Sequence, residues 1–422
     1  MASAASAQVV QRPPRSETAG ERTTQDLTFR GSLLGGYDDN QMPPTGGDFF
    51  ATYPSAYTAF GDSSLAYRRG NQLRWFEARG DGFFNSYGSL GTGPSLGGGE
   101  QVGGQVTLGR RNELRASQYL RYSPYFSLGL LGAVQPESVT DNTTNTLNES
   151  GSWSQGGSLT LTRRWTRNTS TDFSYAFNGQ VYAEEAGFDS RSHLGTIGLN
   201  RTLGRRTSLR ASYQHSDNHY TQPLGGSVPN VTRTGDVGVT YERRLSPSRQ
   251  LTLSGGGGAS YIDTVDTLMF EPAKFWTPAG YGAVRLDLAR SWSLGGDYRR
   301  STSVLQGNRA EPFTAHTAQV SFGGDVRPWL ESVFTAGYSN GVSNLETGGT
   351  FSGRYNGYTG TAQLRVHMMA GWSSVVSFTH YQYQLNEVAS QLLGVSRELH
   401  RNAVRVGLSW SLPLYSTGRP RS

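Results

Sequence analysis

The chain contains no cysteine, which excludes disulfides and thiolate metal sites. It contains no run of about 18 apolar residues, so no segment is long enough for a transmembrane helix. Lysine is nearly absent: Lys274 is the only one, and the formal net charge of +6 comes almost wholly from arginine. No basic helix or basic–aromatic platform accompanies that charge, so the basic balance is not a nucleic-acid footprint. Apolar residues are also scarce, at 35%, where a soluble domain carries about 45–50%.

Glycine and aromatics are abundant instead. The sequence has 55 Gly, 22 Tyr, 18 Phe and 8 Trp. Disordered chains are poor in aromatic residues, and here the aromatics sit in alternating runs. A barrel with an apolar outer band and a watery interior needs few apolar residues, because only every second side chain meets lipid.

Arginine-rich tight turns recur at near-regular intervals. They are Arg68-Arg69-Gly70-Asn71, Arg110-Arg111-Asn112-Glu113, Arg163 to Asn168, Gly204-Arg205-Arg206, Arg243 to Arg249, Arg290-Ser291, Asp325 to Pro328 and Met369 to Gly371. Between consecutive turns lies one longer segment rich in Gly, Asn, Ser, Thr and Pro. This rhythm of short turn, strand, long loop and strand belongs to an up-and-down antiparallel sheet.

The strands alternate. Leu27, Phe29, Gly31 and Leu33 oppose Thr28, Arg30 and Ser32; Phe76, Ala78, Gly80, Gly82 and Phe84 oppose Glu77, Arg79 and Asp81. Phe173, Tyr175, Phe177 and Val181 oppose Asp172, Ser174, Asn178 and Gln180. Val404, Val406, Leu408, Trp410 and Leu412 oppose Arg405, Gly407, Ser409 and Ser411. A period of two over about ten residues is what a tilted strand needs to cross a bilayer. The count is about 18 strands, with 16 as the alternative. It is hardest to read around Tyr119 to Gly132, which Pro124 interrupts, and around Tyr261 to Pro278, since proline demotes a run to an edge or a loop. Both counts are even, which puts the two termini on the side of the short turns.

Residues 1–25 read as a flexible leader, 26–415 as the barrel and 416–422 as a tail. The small residues around Ala5-Ser6-Ala7 resemble the end of a secretory signal. Trp75, Trp165, Trp292, Trp329 and Trp372 lie within a few residues of short turns, as in the aromatic girdle of a membrane rim; cross-strand packing in a soluble sheet is the plainer alternative. The turn spacing also approaches the blade period of a β-propeller, about 40–45 residues. A blade needs four short strands per period, and two long ones are present.

The polar phase carries the residues of most interest. Arg30, Glu77, Arg79, Asp81, Arg285, Asp287, Asp297, Arg299, Arg365 and Arg405 all fall on it. Lining a water-filled barrel, they would set solute selectivity; their mixed signs equally suit interior salt-bridge ladders. A barrel of 16–18 strands is wide enough for an aqueous channel unless loops narrow it. Thr140 to Gly156 and Tyr220 to Thr232 are the segments able to fold inward.

Catalytic patterns are weak. Gly61-Asp62-Ser63-Ser64 resembles the nucleophile block of lipolytic hydrolases, but it falls inside the second strand, and no Asp-x-x-His lies near the C-terminus to supply a base. Ser339-Asn340-Gly341 resembles part of the active segment of outer-membrane phospholipase and deacylase barrels, yet Gly337 stands where those enzymes carry histidine. His215 and His219 flank Asp217 at a spacing that gathers ligands on a helix, not on a strand. Asp38-Asp39-Asn40 and Glu184-Glu185 read as solvated loop carboxylates, with a divalent cation at the outer rim as the sharper alternative.

The step Gly36-Tyr37-Asp38-Asp39-Asn40 at the end of the first strand resembles the opening of the bacterial outer-membrane β-barrel porin family. The match covers that strand by motif and the rest by pattern. The last strand departs from the usual terminal aromatic: Trp410 or Tyr415 would have to serve, with Ser416 to Ser422 trailing. The resemblance implies an outer-membrane barrel. The expected fold is an antiparallel up-and-down transmembrane β-barrel of about 18 strands. The expected function is a porin-like diffusion channel for small hydrophilic solutes. A non-conducting barrel serving assembly or exopolysaccharide export, and an outer-membrane lipid hydrolase, are the alternatives. Expected partners are outer-membrane lipids and lipopolysaccharide, the barrel-assembly machinery and the solutes, with no nucleic acid, cofactor or metal.

Overall fold

In the computed structural model every long alternating run is a strand. The structure describes residues 24–39, 56–71, 73–87, 94–124, 126–127, 146–148, 151–182, 189–221, 227–265, 272–288, 291–306, 310–343, 353–369, 371–393 and 397–417. The first group of strands is β1 (Thr24–Asp38), β2 (Ala56–Gly70), β3 (Arg74–Tyr87), β4 (Ser95–Leu108) and β5 (Asn112–Ser123). A small hairpin, β6 (Phe126–Ser127) with β7 (Thr146–Asn148), stands apart in its own sheet. Then come β8 (Ser152–Arg164), β9 (Thr169–Tyr182), β10 (Asp189–Thr202), β11 (Thr207–Thr221), β12 (Ser227–Ser246) and β13 (Arg249–Val265). The wall finishes with β14 (Pro272–Asp287), β15 (Ser293–Gln306), β16 (Ala310–Arg327), β17 (Leu330–Ser343), β18 (Arg354–Met369), β19 (Trp372–Leu385) and β20 (Glu398–Thr417).

The main sheet has 18 strands, all antiparallel to their neighbours. It closes because β1 pairs with β2 along one edge and with β20 along the other, from Gln25 opposite Thr417 to Asp38 opposite Ala403. Closure leaves no open end to the sheet, the usual liability of a long β structure. The eight short turns, seven of them carrying arginine, all fall at one rim, and the strands lead from them toward the long segments at the other. Arg290, within one of those turns, lies outside the described residues.

Glycine shapes the short-turn rim. Gly109 at φ +68° and Gly371 at φ +82° occupy the left-handed region that a Cβ disfavours. A Cβ on Gly371 would also meet the Ser411 carbonyl oxygen at 2.6 Å.

The pairing register assigns each side chain to a face, since neighbours across a ladder point the same way. Leu33, Leu65, Phe76, Val102, Leu159, Phe173, Ile197, Val237, Val284, Val320, Phe334, Val376 and Val406 all share the outward phase, and all are exposed. They form an apolar band around the whole circumference. Towards the long-loop rim the same phase turns polar: Arg191 and His193 follow Ile197 on β10, and His316 follows Val320 on β16.

A short helix, α1 (Glu387–Leu393), lies in the segment between β19 and β20. Asn386 caps it, its side-chain oxygen accepting from the Ala389 amide at 2.9 Å. Nothing in the strand-periodic reading of the sequence anticipated this helix.

Candidate functional site: the barrel interior

The inward phase is polar and, at mid-height, open. Arg30 and Ser64 stand opposite each other across β1 and β2, and Ser64 stands opposite Asp81 across β2 and β3. Glu77, Arg79 and Asp81 share this phase, as do Arg285 and Asp287 on β14 and Asp297 and Arg299 on β15. Arg365 and Arg405 complete the set on β18 and β20. Register therefore turns all ten sequence-selected charges toward the bore.

Their pairing differs from place to place. Arg285 meets Asp287 at 3.3 Å, and Arg365 meets Glu331 at 3.2 Å. Arg405 is 5% exposed. Arg30, Glu77, Arg79, Asp81, Asp297 and Arg299 form no ion pair or hydrogen bond through their side chains among the described residues. Of these, Arg30, Arg79, Asp297 and Arg299 are exposed although they point inward. An inward side chain is exposed only where the lumen around it is open. Arg115 and Arg210, also inward and exposed, extend the open region to β5 and β11.

Near the long-loop rim the interior is packed. Phe313, Tyr355, Tyr381, Tyr383, Leu385, Leu399 and Ala403 are buried on the inward faces of β16 and β18–β20. Tyr220, Val228 and Ile262 form a second buried group on β11–β13. The bore is therefore wide and polar towards the short turns and narrows on the opposite side. Of the two segments expected to fold inward, residues 140–150 lie largely outside the described residues; Tyr220 and Val228, flanking 222–226, contribute to the packed region.

One sequence expectation is corrected here. Asp38 and Asp39 are not solvated loop carboxylates. Asp38 is wholly buried, and the Arg401 guanidinium donates to it at 3.0, 2.8 and 2.5 Å. Asp39 accepts from the backbone and side-chain nitrogens of Asn402, both at 2.6 Å. The carboxylates serve the β1–β20 closure, and their partners are already supplied by protein. Asn40 and Glu184-Glu185 lie outside the described residues.

The tryptophans divide. Trp165, Trp292 and Trp372 lie on the outward side of the short-turn rim, where Trp372 stacks on Trp410 at 5.6 Å and Trp292 on Phe322 at 4.8 Å. The guanidinium of Arg163 sits 4.1 Å from the Trp165 ring. Trp329 is half-exposed in the β16–β17 turn. Trp75 is a correction: it faces the bore, donates to Gln105 at 3.0 Å and lies under Arg68. Its phase was readable, because Trp75 is two residues from the inward Glu77.

The candidate catalytic groups are dispersed. Ser339 is fully buried on the inward phase and donates to the Tyr355 hydroxyl at 3.3 Å, away from lipid. Ser64 points inward and Ser63 outward, so the block in β2 forms no common site. His219 pairs with Asp217 at 3.3 Å on the outer face, and no third ligand joins them among the described residues.

A closed antiparallel barrel with an apolar exterior and a polar, open interior is a membrane-spanning β-barrel. No protein-family model and no characterised protein matches the sequence. Solved structures share the overall shape at low identity. OccAB1 of Acinetobacter baumannii is 13% identical, with 93% of this chain and 97% of that chain covered at a TM-score of 0.48. OccD3 (OpdP) of Pseudomonas aeruginosa is 14% identical, with 96% and 95% covered at 0.48. OccK5 (OpdH) of Pseudomonas aeruginosa is 15% identical, with 93% and 98% covered at 0.47.

Proposed function

We propose that this protein is a bacterial outer-membrane porin, a passive channel for small hydrophilic solutes. The observation that carries the reading is the group of inward, exposed and unpaired charges at mid-height, Arg30, Arg79, Asp297 and Arg299. A barrel built only as a rigid scaffold gains nothing from exposed lumenal charge held in no ion pair; a water-filled path keeps those charges solvated and uses them to select solutes. The even strand number, with short turns at one rim and long loops at the other, supports an outer-membrane setting, with the short turns in the periplasm. Outer-membrane lipids, lipopolysaccharide and the barrel-assembly machinery are the partners this setting entails.

The test is electrical. Refolded protein added to a planar bilayer in KCl should produce discrete, long-lived conductance steps, and liposomes carrying it should swell in small sugars or amino acids. Silent bilayers containing correctly refolded barrel would overturn the channel reading in favour of a non-conducting scaffold.

A further inference from the structure

Among the described residues the barrel wall has one markedly incomplete seam. β13 and β14 pair from Gln250 opposite Asp287 to Val265 opposite Pro272, and β15 and β16 pair along all of β15. Between β14 and β15, however, pairing runs only from Asp287 opposite Ser293 to Gly280 opposite Arg300. Beyond that point Pro272–Ala279 and Ser301–Gln306 face each other with no ladder between them. Pro272 and Pro278 both lie in the unpaired half of β14. Proline is confined to edges because it cannot donate to a ladder. The sequence thus marks this half-strand as an edge inside a closed wall.

The two edges overlap rather than meet. The Thr277 hydroxyl lies 3.3 Å from that of Thr314, two strands away on β16, and Thr314 also bonds Thr302 at 3.1 Å. A cavity of about 380 Å³ follows the overlap. Its lining joins Phe275 and Thr277, from the inward phase of β14, to outward-phase residues including Trp276, Arg300 and His316. In an unbroken wall the two phases line opposite surfaces, so a cavity sharing both cuts into the wall itself. Its volume falls within the range of small-molecule sites, about 300–1,000 Å³.

Position and chemistry narrow the occupant. The last pair, Gly280 with Arg300, stands roughly 18 Å above the short-turn rim at about 3.3 Å per residue and a tilt near 40°. That is the level where the outward phase changes from Val320 to His316, the upper edge of the apolar band. The Arg300 Nε is buried and has no hydrogen-bond partner among the described residues. Among the described residues no acidic side chain lines the cavity, while Phe275, Trp276, Pro278 and Val342 supply an apolar surface. His316 is held at Nδ1 by the Tyr298 hydroxyl at 2.7 Å. A buried cationic donor without an acceptor is costly unless a ligand provides one.

We propose that the β14–β15 seam is a lateral binding site for a single-chain anionic amphiphile of the outer leaflet. The acyl chain lies along Phe275, Trp276, Pro278 and Val342, and the carboxylate accepts from Arg300 beside His316. The inference goes beyond conduction through the bore, and the two are separable.

Absence of native cysteine makes the test clean. The full-length Thr277→Cys/Thr314→Cys variant is refolded into phospholipid vesicles and labelled with a diazirine-bearing hexadecanoic acid, with the adduct mapped by mass spectrometry. Unoxidised protein should give saturable labelling at Phe275–Pro278 or Val342. Oxidation to the disulfide should abolish it and reduction restore it, while KCl conductance stays unchanged. Arg300→Gln in the wild-type background should weaken apparent affinity about tenfold, the loss of one charge-assisted hydrogen bond. Labelling spread evenly over the outer wall, or labelling indifferent to both the disulfide and Arg300→Gln, would overturn the site. Absent conductance with seam labelling intact would instead count against the channel alone.

Discussion

Arg401 on the last strand grips Asp38 on the first through a buried bidentate pair, with donor–acceptor distances of 3.0, 2.8 and 2.5 Å. The arginine is 5% exposed and the carboxylate 1% in their side chains. The two residues are 363 positions apart in sequence, so the contact exists only once the barrel has closed. Removing one partner strips a buried charge of its bidentate counter-ion. Asp38→Ala is therefore expected to destabilise the folded barrel by about 3–5 kcal/mol, whereas the double change Asp38→Leu/Arg401→Met recovers most of that loss. Urea unfolding of vesicle-reconstituted protein, followed by tryptophan fluorescence, measures both. Equal destabilisation by the single and double variants would remove the pair's closing role.

Charge reversal inside the bore tests the channel at the level of single residues. Arg30, Arg79 and Arg299 are inward, exposed and form no ion pair among the described residues, so each contributes positive potential to the bore. Arg79→Glu and Arg299→Glu should shift the reversal potential in a KCl gradient toward cation preference. Asp297→Asn should shift it toward anions. Arg285→Glu places a second carboxylate beside Asp287, now 3.3 Å from the arginine, and should shift the preference to cations while also lowering stability. Reversal potentials that do not move with these changes would mean ions do not pass these residues.

The face assignments themselves are testable by one matched pair. Ile197 on β10 points outward and is 51% exposed, while its neighbour Thr196 points inward. Ile197→Arg sets a cation against lipid and should cost about 2–4 kcal/mol if it lies near the bilayer midplane. Thr196→Arg extends into the polar bore and should be close to neutral, with a measurable change in conductance instead. Refolding yield and urea midpoints in vesicles of fixed acyl length distinguish them.

How much of this was legible beforehand depends on the range of the interaction. The eight turns, the alternation and the strand number are local features, because a period of two is written into every strand. The lumen phase of Arg30, Glu77 or Arg299 follows from the same alternation. Asp38 could not be read locally: its partner lies on the far end of the chain, and a carboxylate at a strand end looks like a solvated one until closure brings Arg401 to it. The seam was half visible. Pro278 disturbed the strand pattern between Tyr261 and Pro278, but only the register shows that β15 lets go of β14 beside it. α1 escaped because about two helical turns carry too little periodicity to separate from a loop.

Tryptophan placement gives a prediction in which sequence neighbourhood and register disagree. Trp75, like Trp372, lies within a few residues of a short turn, but alternation puts it beside the inward Glu77 and opposite Gln105. Trp372 packs outward on Trp410, and an amphipathic indole at that level sits among lipid headgroups. Variants carrying one tryptophan at a time, with phenylalanine elsewhere, should therefore separate in vesicles of lipids brominated near the headgroup. The emission of Trp165, Trp292 and Trp372 should be strongly quenched. That of Trp75 should resist bromolipid and yield to aqueous iodide reaching it through the bore. Bromolipid quenching of Trp75 comparable to that of Trp372 would place its ring in the membrane and reverse the phase of β3, and with it the inward orientation of Glu77, Arg79 and Asp81.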